Sequence, residues 1–370
     1  MAITVMQLLP ALNVGGVERG TLEIAAALVA RNHRAIVVSG GGLLVNELKA
    51  LGASHIECPI GEKSLRTLSC VRRLRAIIKH EEVDIVHARS RLPAWVGYRA
   101  LAGISKQRRP RWITTVHGPY TVNAYSNIMV TGERVIAISK FIGDYIRNNY
   151  PSVPASKIRV VPRGIDGNRY RPDFTPKPAW HKRWLLEHPE LHGKKLLVLP
   201  GRLTRWKGQE EFIALIEALD AKGIPIHGLI AGGAARSNRK FETTLKSLAA
   251  KHGLEAKITF LGRSNDLREI LHVADIVYSL TLKPEAFGRT TIEALGLGTP
   301  VIGYDHGGTG EILQQVFPQG LVPPRDISAA VETTCSLLSG PVTVPTEHPY
   351  KLARMQADTI EIYEELCPMG

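Results

Sequence analysis

Two carboxylates stand eight positions apart in the stretch Pro-Glu-Ala-Phe-Gly-Arg-Thr-Thr-Ile-Glu-Ala-Leu-Gly-Leu at 284–297. The apolar run 274–280 before it reads as a buried strand, and 300–304 after it as another. A helix starting near 288–290 fits between them, with Thr290 and Thr291 in its first turn. Ile292, Leu295 and Gly296 would then face a sheet. Glu285 falls at the mouth of the strand-to-helix turn and Glu293 about one turn into the helix. The free N–H groups and partial positive charge of such a helix start suit a phosphate. The plain alternative makes Glu285 a solvated loop residue and Glu293 a surface helix residue.

Two cations carry matching chemistry. Arg202 and Lys207 lie five apart in the turn Gly-Arg-Leu-Thr-Arg-Trp-Lys-Gly, which follows the apolar run 195–199. A diphosphate leaving group carries about two negative charges, and an Arg fork with a Lys point charge would stabilise it as its bond breaks. Alone, the two would read as exposed loop cations. No two aspartates in the chain are separated by one residue, so there is no Asp-x-Asp to hold a divalent ion on a diphosphate. Neutralisation would then fall to Arg202, Lys207 and the backbone N–H groups of 288–291. His188 and His192 are four apart, but Pro189 intervenes and no third ligand is near. They read as solvated loop histidines.

These residues need strands to hold them. The run 3–9 is a strand, Gly15-Gly16 a turn, 17–31 a helix and 35–39 the next strand. That is a βαβ unit of a parallel sheet. Its glycines do not form Gly-x-Gly-x-x-Gly and no acidic residue ends the second strand, so a nicotinamide dinucleotide fits poorly. Further strands are expected at 83–87, at 112–116 (ending in His117-Gly118), at 135–138 and at 158–161, with helices at 92–101 and from Ser139 to Asn149. Prolines and charges across 171–193 read as a linker with a short insertion. A second series follows: strands 195–199, 226–231, 257–261 (ending in Gly262-Arg263), 274–280 and 300–304, with helices reaching 221 and 252. In the tail, Leu352, Met355, Ile362, Tyr363 and Leu366 share one face of an amphipathic helix.

Glu-Ala-Phe-Gly-x4-Glu-Ala resembles the donor-site motif of the retaining glycosyltransferases of family four, and Gly-Arg-Leu-x3-Lys-Gly the family's diphosphate ligands. His-Gly, Ala-Ile-Ser-Lys-Phe at 137–141 and Val-Val-Pro-x-Gly-Ile-Asp at 160–166 resemble the same family in the same order. The family usually has Asn where this chain has Arg163. The likeness spans nearly the whole chain and implies an α/β fold of the GT-B type, two Rossmann-like parallel-sheet domains facing a central cleft. Residues 1–165 would bind the acceptor, with a C-terminal helix at about 349–366 packed back on them. Residues 166–193 would link them to a nucleotide-sugar domain at 194–345. The resemblance gives Glu285 a hydrogen bond to the transferred sugar, Glu293 one to the ribose, and His117 a contact near the reacting centre. Arg202 and Lys207 would hold the diphosphate together with the helix start at Phe287, Gly288, Arg289 and Thr290. Gly15 and Gly16 would approach the donor phosphates, and Arg263 would flank the base.

The residues at 87–95, His-Ala-Arg-Ser-Arg-Leu-Pro-Ala-Trp, with Thr115-Val116-His117-Gly118, are also similar to bacterial lipopolysaccharide-core sugar transferases, some of which use GDP-mannose. The implied function is metal-independent, retaining transfer of a sugar from a nucleotide-diphosphate donor to an envelope glycolipid or oligosaccharide. No cofactor is implied beyond that donor substrate. A catalytically silent nucleotide- or glycan-binding partner of the same fold is the alternative from another class. Loss of Arg202, Lys207 or Glu285 would have signalled it, and all three are present. A sugar-nucleotide epimerase is a further alternative, while a phosphorylase would need a pyridoxal phosphate lysine in a longer chain.

The chain has 370 residues, 44% of them hydrophobic, enough for two α/β cores. Its net charge of +13 is uneven: residues 1–165 hold 23 Lys+Arg against 10 Asp+Glu, and the remainder 24 against 24. Nucleic acid, an anionic membrane and an acidic acceptor would each suit that excess. No recognition helix, zinc finger or RNA-binding aromatic motif is present, so no nucleic acid is expected. Docking on an anionic membrane through Arg66, Arg72, Arg73, Arg75 and Lys79 is expected instead. No apolar run approaches the roughly 18–20 residues of a membrane span. Met1 leads straight into a strand without a signal peptide. Cys58, Cys70, Cys335 and Cys367 form no Cys-x-x-Cys and read as reduced thiols. The expected location is cytoplasmic, peripheral on the inner face of the cytoplasmic membrane.

Overall fold

The computed structural model describes residues 2–13, 15–64, 66–235 and 238–368. They divide into two compact units, Met1–Gly164 with Leu352–Gly370, and Ile165–Lys351.

The first unit is built on seven strands: β1 (Thr4–Leu8), β2 (Arg34–Ser39), β3 (Ser54–Glu57), β4 (Ile85–Ala88), β5 (Arg111–Val116), β6 (Arg134–Ala137) and β7 (Ile158–Val160). Their order is β3-β2-β1-β4-β5-β6-β7, and every neighbouring pair is parallel. β1 is buried along its whole length, as a central parallel strand covered on both faces must be. Strand order reverses between β1 and β4, which pair from Val5 opposite Ile85 to Leu8 opposite Ala88. The carboxyl ends of the strands on either side of such a switch point leave room for a ligand. The helix Gly16–Ala30 buries Leu22, Ile24, Ala25 and Leu28 against the sheet.

The C-terminal helix Leu352–Leu366 contributes Met355, Ile360, Ile362, Tyr363 and Leu366 to the same core. Its Tyr363 hydroxyl lies 2.7 Å from Nδ1 of the buried His87 on β4. Arg134 on β6 and Arg159 on β7 both pair with Glu365. Cys58 and Cys70, twelve positions apart in sequence, are buried side by side with their thiols in hydrogen-bonding reach, and burial pushes the Cys58 thiol up to about 12.

The second unit has β8 (Lys195–Pro200), β9 (Ile226–Ala231), β10 (Ile258–Gly262), β11 (Ile276–Ser279), β12 (Val301–Tyr304) and β13 (Leu321–Val322) in the order β10-β9-β8-β11-β12-β13, again all parallel. Here the switch point lies between β8 and β11. Leu197, Leu199, Phe212, Ile216, Tyr278 and Ile302 are among its core residues. The 166–193 segment, read as a linker, groups with this unit and carries the helix Pro178–Glu187. Its period was hidden because two residues hold it: Trp180 and Trp184, one turn apart, stack at 5.2 Å and are both buried.

Among the described residues no helix is long and apolar enough to cross a membrane. On the basic helix Arg66–His80, Arg72, Arg73 and Lys79 are exposed, as is Leu68. The Arg66 side chain lies outside what is described. Arg75 departs from expectation. Its Nε donates to the carbonyl of Ala100 at 3.1 Å and its Nη2 to that of Arg99 at 3.3 Å. Those are carbonyls of the last turn of the helix Arg91–Ala102, which a guanidinium caps well. Arg75 is therefore a structural cation and is withdrawn from the exposed set.

Candidate functional site

In the second unit the two turns that leave the switch point meet. The turn after β8 ends at Gly208, whose φ of 79° lies in the left-handed region and which caps the helix Gln209–Ala221. A Cβ at Gly208 would run into the backbone carbonyl of Leu280, just past β11. Glycine thus lets the turns close on each other. Trp206 accepts a 2.8 Å hydrogen bond from the Leu282 N–H across the same gap. As a result Lys207 and Glu285 form an ion pair, with side chains 19% and 12% exposed. The Lys207 ammonium also lies 4.7 Å from the centre of the Trp206 ring, a cation–π distance. Arg202, in the same turn, is exposed.

The Glu285 loop is held from a side that the sequence reading missed. The Gly308 N–H, in the first turn of the helix Gly307–Val316, donates to the Glu285 carbonyl at 2.7 Å. His306 Nε2 lies 2.8 Å from the Thr281 carbonyl oxygen. The residues His306-Gly-Gly-Thr-Gly look like a loop in sequence, and a glycine-rich helix start gives no hydrophobic period to detect it.

Gly288, at φ 90°, caps the helix Arg289–Gly296. Phe287 is buried, with its ring edge-on to Tyr350 at 5.6 Å. Thr290 is half-buried at the helix start, and the buried Thr291 hydroxyl has no hydrogen-bond partner among the described residues. Glu293 is buried one turn in, where Arg289 Nε donates to its Oε1 at 2.9 Å. Burial pushes the Glu293 carboxyl above its ordinary range, while the charge of Arg289 and hydrogen bonds from Arg289 and Tyr170 pull it back. Tyr170 is itself pushed up to about 12, by burial first and then by the Glu293 charge. Tyr170 was not foreseen, because it comes from the segment read as a linker. Arg263, after β10, is exposed on a surface groove of about 440 Å³ shared with Arg183, Trp184, His188 and Asp266.

In the first unit Gly15 and Gly16 open the helix Gly16–Ala30. Gly15 has φ 178°, extended backbone that any residue adopts, and a side chain at Gly16 would meet open space. Neither glycine is demanded by packing. A Cβ at Gly15 would meet only the carboxylate of Glu18, which folds back over the helix start.

His117 follows β5. Its backbone N–H donates to the Tyr120 hydroxyl at 3.3 Å, and its Nδ1 lies 3.1 Å from Arg163 Nη2. Burial holds the imidazole well below its ordinary pKa, with Arg163, Arg89 and His87 acting in the same direction. Among the described residues no group of three or more His, Cys, Asp or Glu side chains is placed to hold a metal ion.

Two all-parallel α/β units, one of which gathers Lys207, Glu285 and a helix start at its switch point, define the GT-B class of glycosyltransferases. Residues 14–169 match the family described as Glycosyltransferase Family 4, and residues 182–354 match Glycosyl transferases group 1. A glycosyltransferase structure from Rickettsia africae ESF-5 is 30% identical over the full length of both chains, with a TM-score of 0.88. The chain belongs to glycosyltransferase family 4. Among its curated relatives, the lipopolysaccharide core biosynthesis mannosyltransferase LpsB of Rhizobium meliloti is 30% identical over 48% of this chain and 50% of its own. Anabaena HepE, in complex with UDP and glucose, shares the fold at a TM-score of 0.78 and 19% identity, over 99% of this chain and all of its own.

Proposed function

We propose that this glycosyltransferase is retaining and metal-independent, and that it moves a sugar from a nucleotide-diphosphate donor to a cell-envelope glycolipid or oligosaccharide such as lipopolysaccharide core. The bond from the anomeric carbon to the donor phosphate oxygen breaks, an acceptor hydroxyl oxygen bonds to that carbon, and the nucleoside diphosphate leaves with the hydroxyl's proton. GDP-mannose is the first donor to try, because LpsB is by name a mannosyltransferase and a Mycobacterium tuberculosis relative is by name GDP-mannose-dependent. A UDP-sugar is the second, from the HepE complex.

The observation that carries the reading is the Lys207–Glu285 pair at the switch point. An arriving diphosphate offers Lys207 a stronger acceptor, which Arg202 reinforces, and releases Glu285 to hydrogen-bond the sugar. The N–H groups at Gly288, Arg289 and Thr290 add to the anion site, with Phe287 as their buried footing. Glu293 takes the ribose, Arg263 the base, and Gly15 and Gly16 admit the phosphates once the half-buried Glu18 side chain turns aside. His117 contacts the sugar, and the first unit takes the acceptor. Arg72, Arg73 and Lys79, beside the exposed Leu68, suit reversible docking on an anionic membrane.

Titration calorimetry against UDP, GDP and ADP names the base, and turnover of the matching nucleotide sugar then tests catalysis. Binding without turnover would favour the silent-partner alternative, and binding of none of the three would remove the donor-site reading.

A further inference from the structure

Arg163 sits just past β7, 8% exposed. Gly20 makes room for it, since a Cβ at that position would collide with the guanidinium. Nη1 lies 3.6 Å from the Met355 sulfur and Nη2 3.1 Å from His117 Nδ1. A guanidinium has five N–H donors and no acceptor, and it keeps its charge. The contact with His117 is therefore a hydrogen bond only when Nδ1 is the bare nitrogen. In a neutral ring the one proton must then sit on Nε2. That nitrogen is buried and has no hydrogen-bond partner among the described residues. A buried N–H without an acceptor is uncommon in a finished structure, and here it belongs to a residue beside the ends of the switch-point strands.

We propose that Arg163 is a positioning residue that fixes His117 as the neutral Nε2–H tautomer, so that His117 acts in sugar transfer as a hydrogen-bond donor and not as a proton-accepting base. The proposal rests on the reading of His117 as a sugar contact. It also gives a reason for a departure from the family, whose usual Asn at this position could either donate to Nδ1 or accept from it and would fix no tautomer. The groups around the ring agree in sign. Arg163 faces it from the β7 end, Arg89 and His87 from β4, and the Tyr120 hydroxyl from the following loop. Glu23, on the helix Gly16–Ala30, acts on Arg89, and Tyr363 of the C-terminal helix bonds His87.

The test is long-range ¹H–¹⁵N NMR of ring-labelled histidine in the full chain without substrate, with the His117→Gln spectrum assigning the signal. The wild type is expected to show a protonated Nε2 and a bare Nδ1, unchanged from about pH 8 to about pH 5, where an ordinary histidine would have titrated. Arg163→Asn is expected to mix the tautomers and to raise the midpoint, with burial still holding it below the ordinary histidine value. In the same variant kcat should fall about tenfold or more, with KM for the nucleotide sugar within about twofold. Arg163→Lys, which keeps a charged donor, should restore part of the tautomer preference. A wild-type spectrum with the proton on Nδ1 overturns the proposal without any variant. So does an Arg163→Asn protein that melts like wild type and leaves tautomer, midpoint and kcat unmoved. Absence of sugar transfer would strike the proposed function and leave the tautomer result standing, so the two failures are distinguishable.

Discussion

Lys207 and Glu285 are 78 positions apart in sequence and paired in the fold, each at the tip of a turn leaving one side of the β8–β11 switch point. Both are mostly buried, so each charge depends on the other until a ligand arrives. A donor diphosphate must therefore exchange partners with a preformed pair.

Lys207→Ala and Arg202→Ala are each expected to lower turnover by on the order of a hundredfold or more, as loss of a donor to developing charge does. Steady-state assays with a soluble acceptor measure this, and near-wild-type rates in both variants would remove the diphosphate role. Lys207→Ala should also cost stability, on the order of 1–3 kcal/mol, because it strands the Glu285 carboxylate. Adding Glu285→Gln should return part of that loss in a thermal melt. Equal melts for the single and double variants would mean that the pair is not coupled.

Activity is expected to survive EDTA. The chain contains no Asp-x-Asp, and Arg202 with Lys207 supplies the charge that a divalent ion would bring. Activity lost in chelator and regained with magnesium or manganese would overturn this.

Glu293 links pH to stability. Its carboxyl titrates above the ordinary 4.5 in the fold, chiefly through burial. Between the two values the folded state holds the proton and the unfolded chain has lost it. Stability therefore falls as pH rises from 4.5 through the folded value, and the penalty persists above it. Glu293→Gln should flatten that slope and melt no lower than wild type at pH 8, while binding the nucleotide more weakly. A variant with the wild-type slope, or one with undiminished nucleotide affinity, would contradict the assignment.

Much of the fold was legible because both sheets are parallel and buried. Apolar runs such as 226–231 mark such strands directly, and the structure has β9 at those positions. What escaped notice lacked that signal. β3 reads Ser-His-Ile-Glu and lies at a sheet edge, β13 has two residues, and the helix Gly307–Val316 begins Gly-Gly-Thr-Gly. Side-chain partnerships were harder still. His117 with Arg163, Glu293 with Tyr170 and Lys207 with Glu285 join residues that only the strand order brings together. The motifs in the sequence named most of these residues singly, and none named the pairs.

Vesicle sedimentation tests the basic helix. Each Lys or Arg near an anionic surface contributes about 1 kcal/mol, so Glu substitution of Arg72, Arg73 and Lys79 should abolish sedimentation with anionic vesicles. High salt should do the same to wild type, since the screening length falls to about 3 Å at 1 M. Arg75→Glu should instead lower the melting temperature, because Arg75 caps a helix. Equal sedimentation on neutral and anionic vesicles would end the docking idea. An anionic acceptor pocket would show itself as a raised acceptor KM in the triple variant with sedimentation unchanged.

The second unit is proposed to hand a sugar from a nucleoside diphosphate to an acceptor. That transfer is tested most directly by measuring nucleoside diphosphate released and glycosidic product formed in the same reaction, with the nucleotide sugar chosen by calorimetry and a lipopolysaccharide-core acceptor. One diphosphate per new glycosidic bond is expected, with both yields falling together in Lys207→Ala. Tight nucleotide binding with neither product, or diphosphate release that ignores the acceptor and persists in Lys207→Ala, would contradict it.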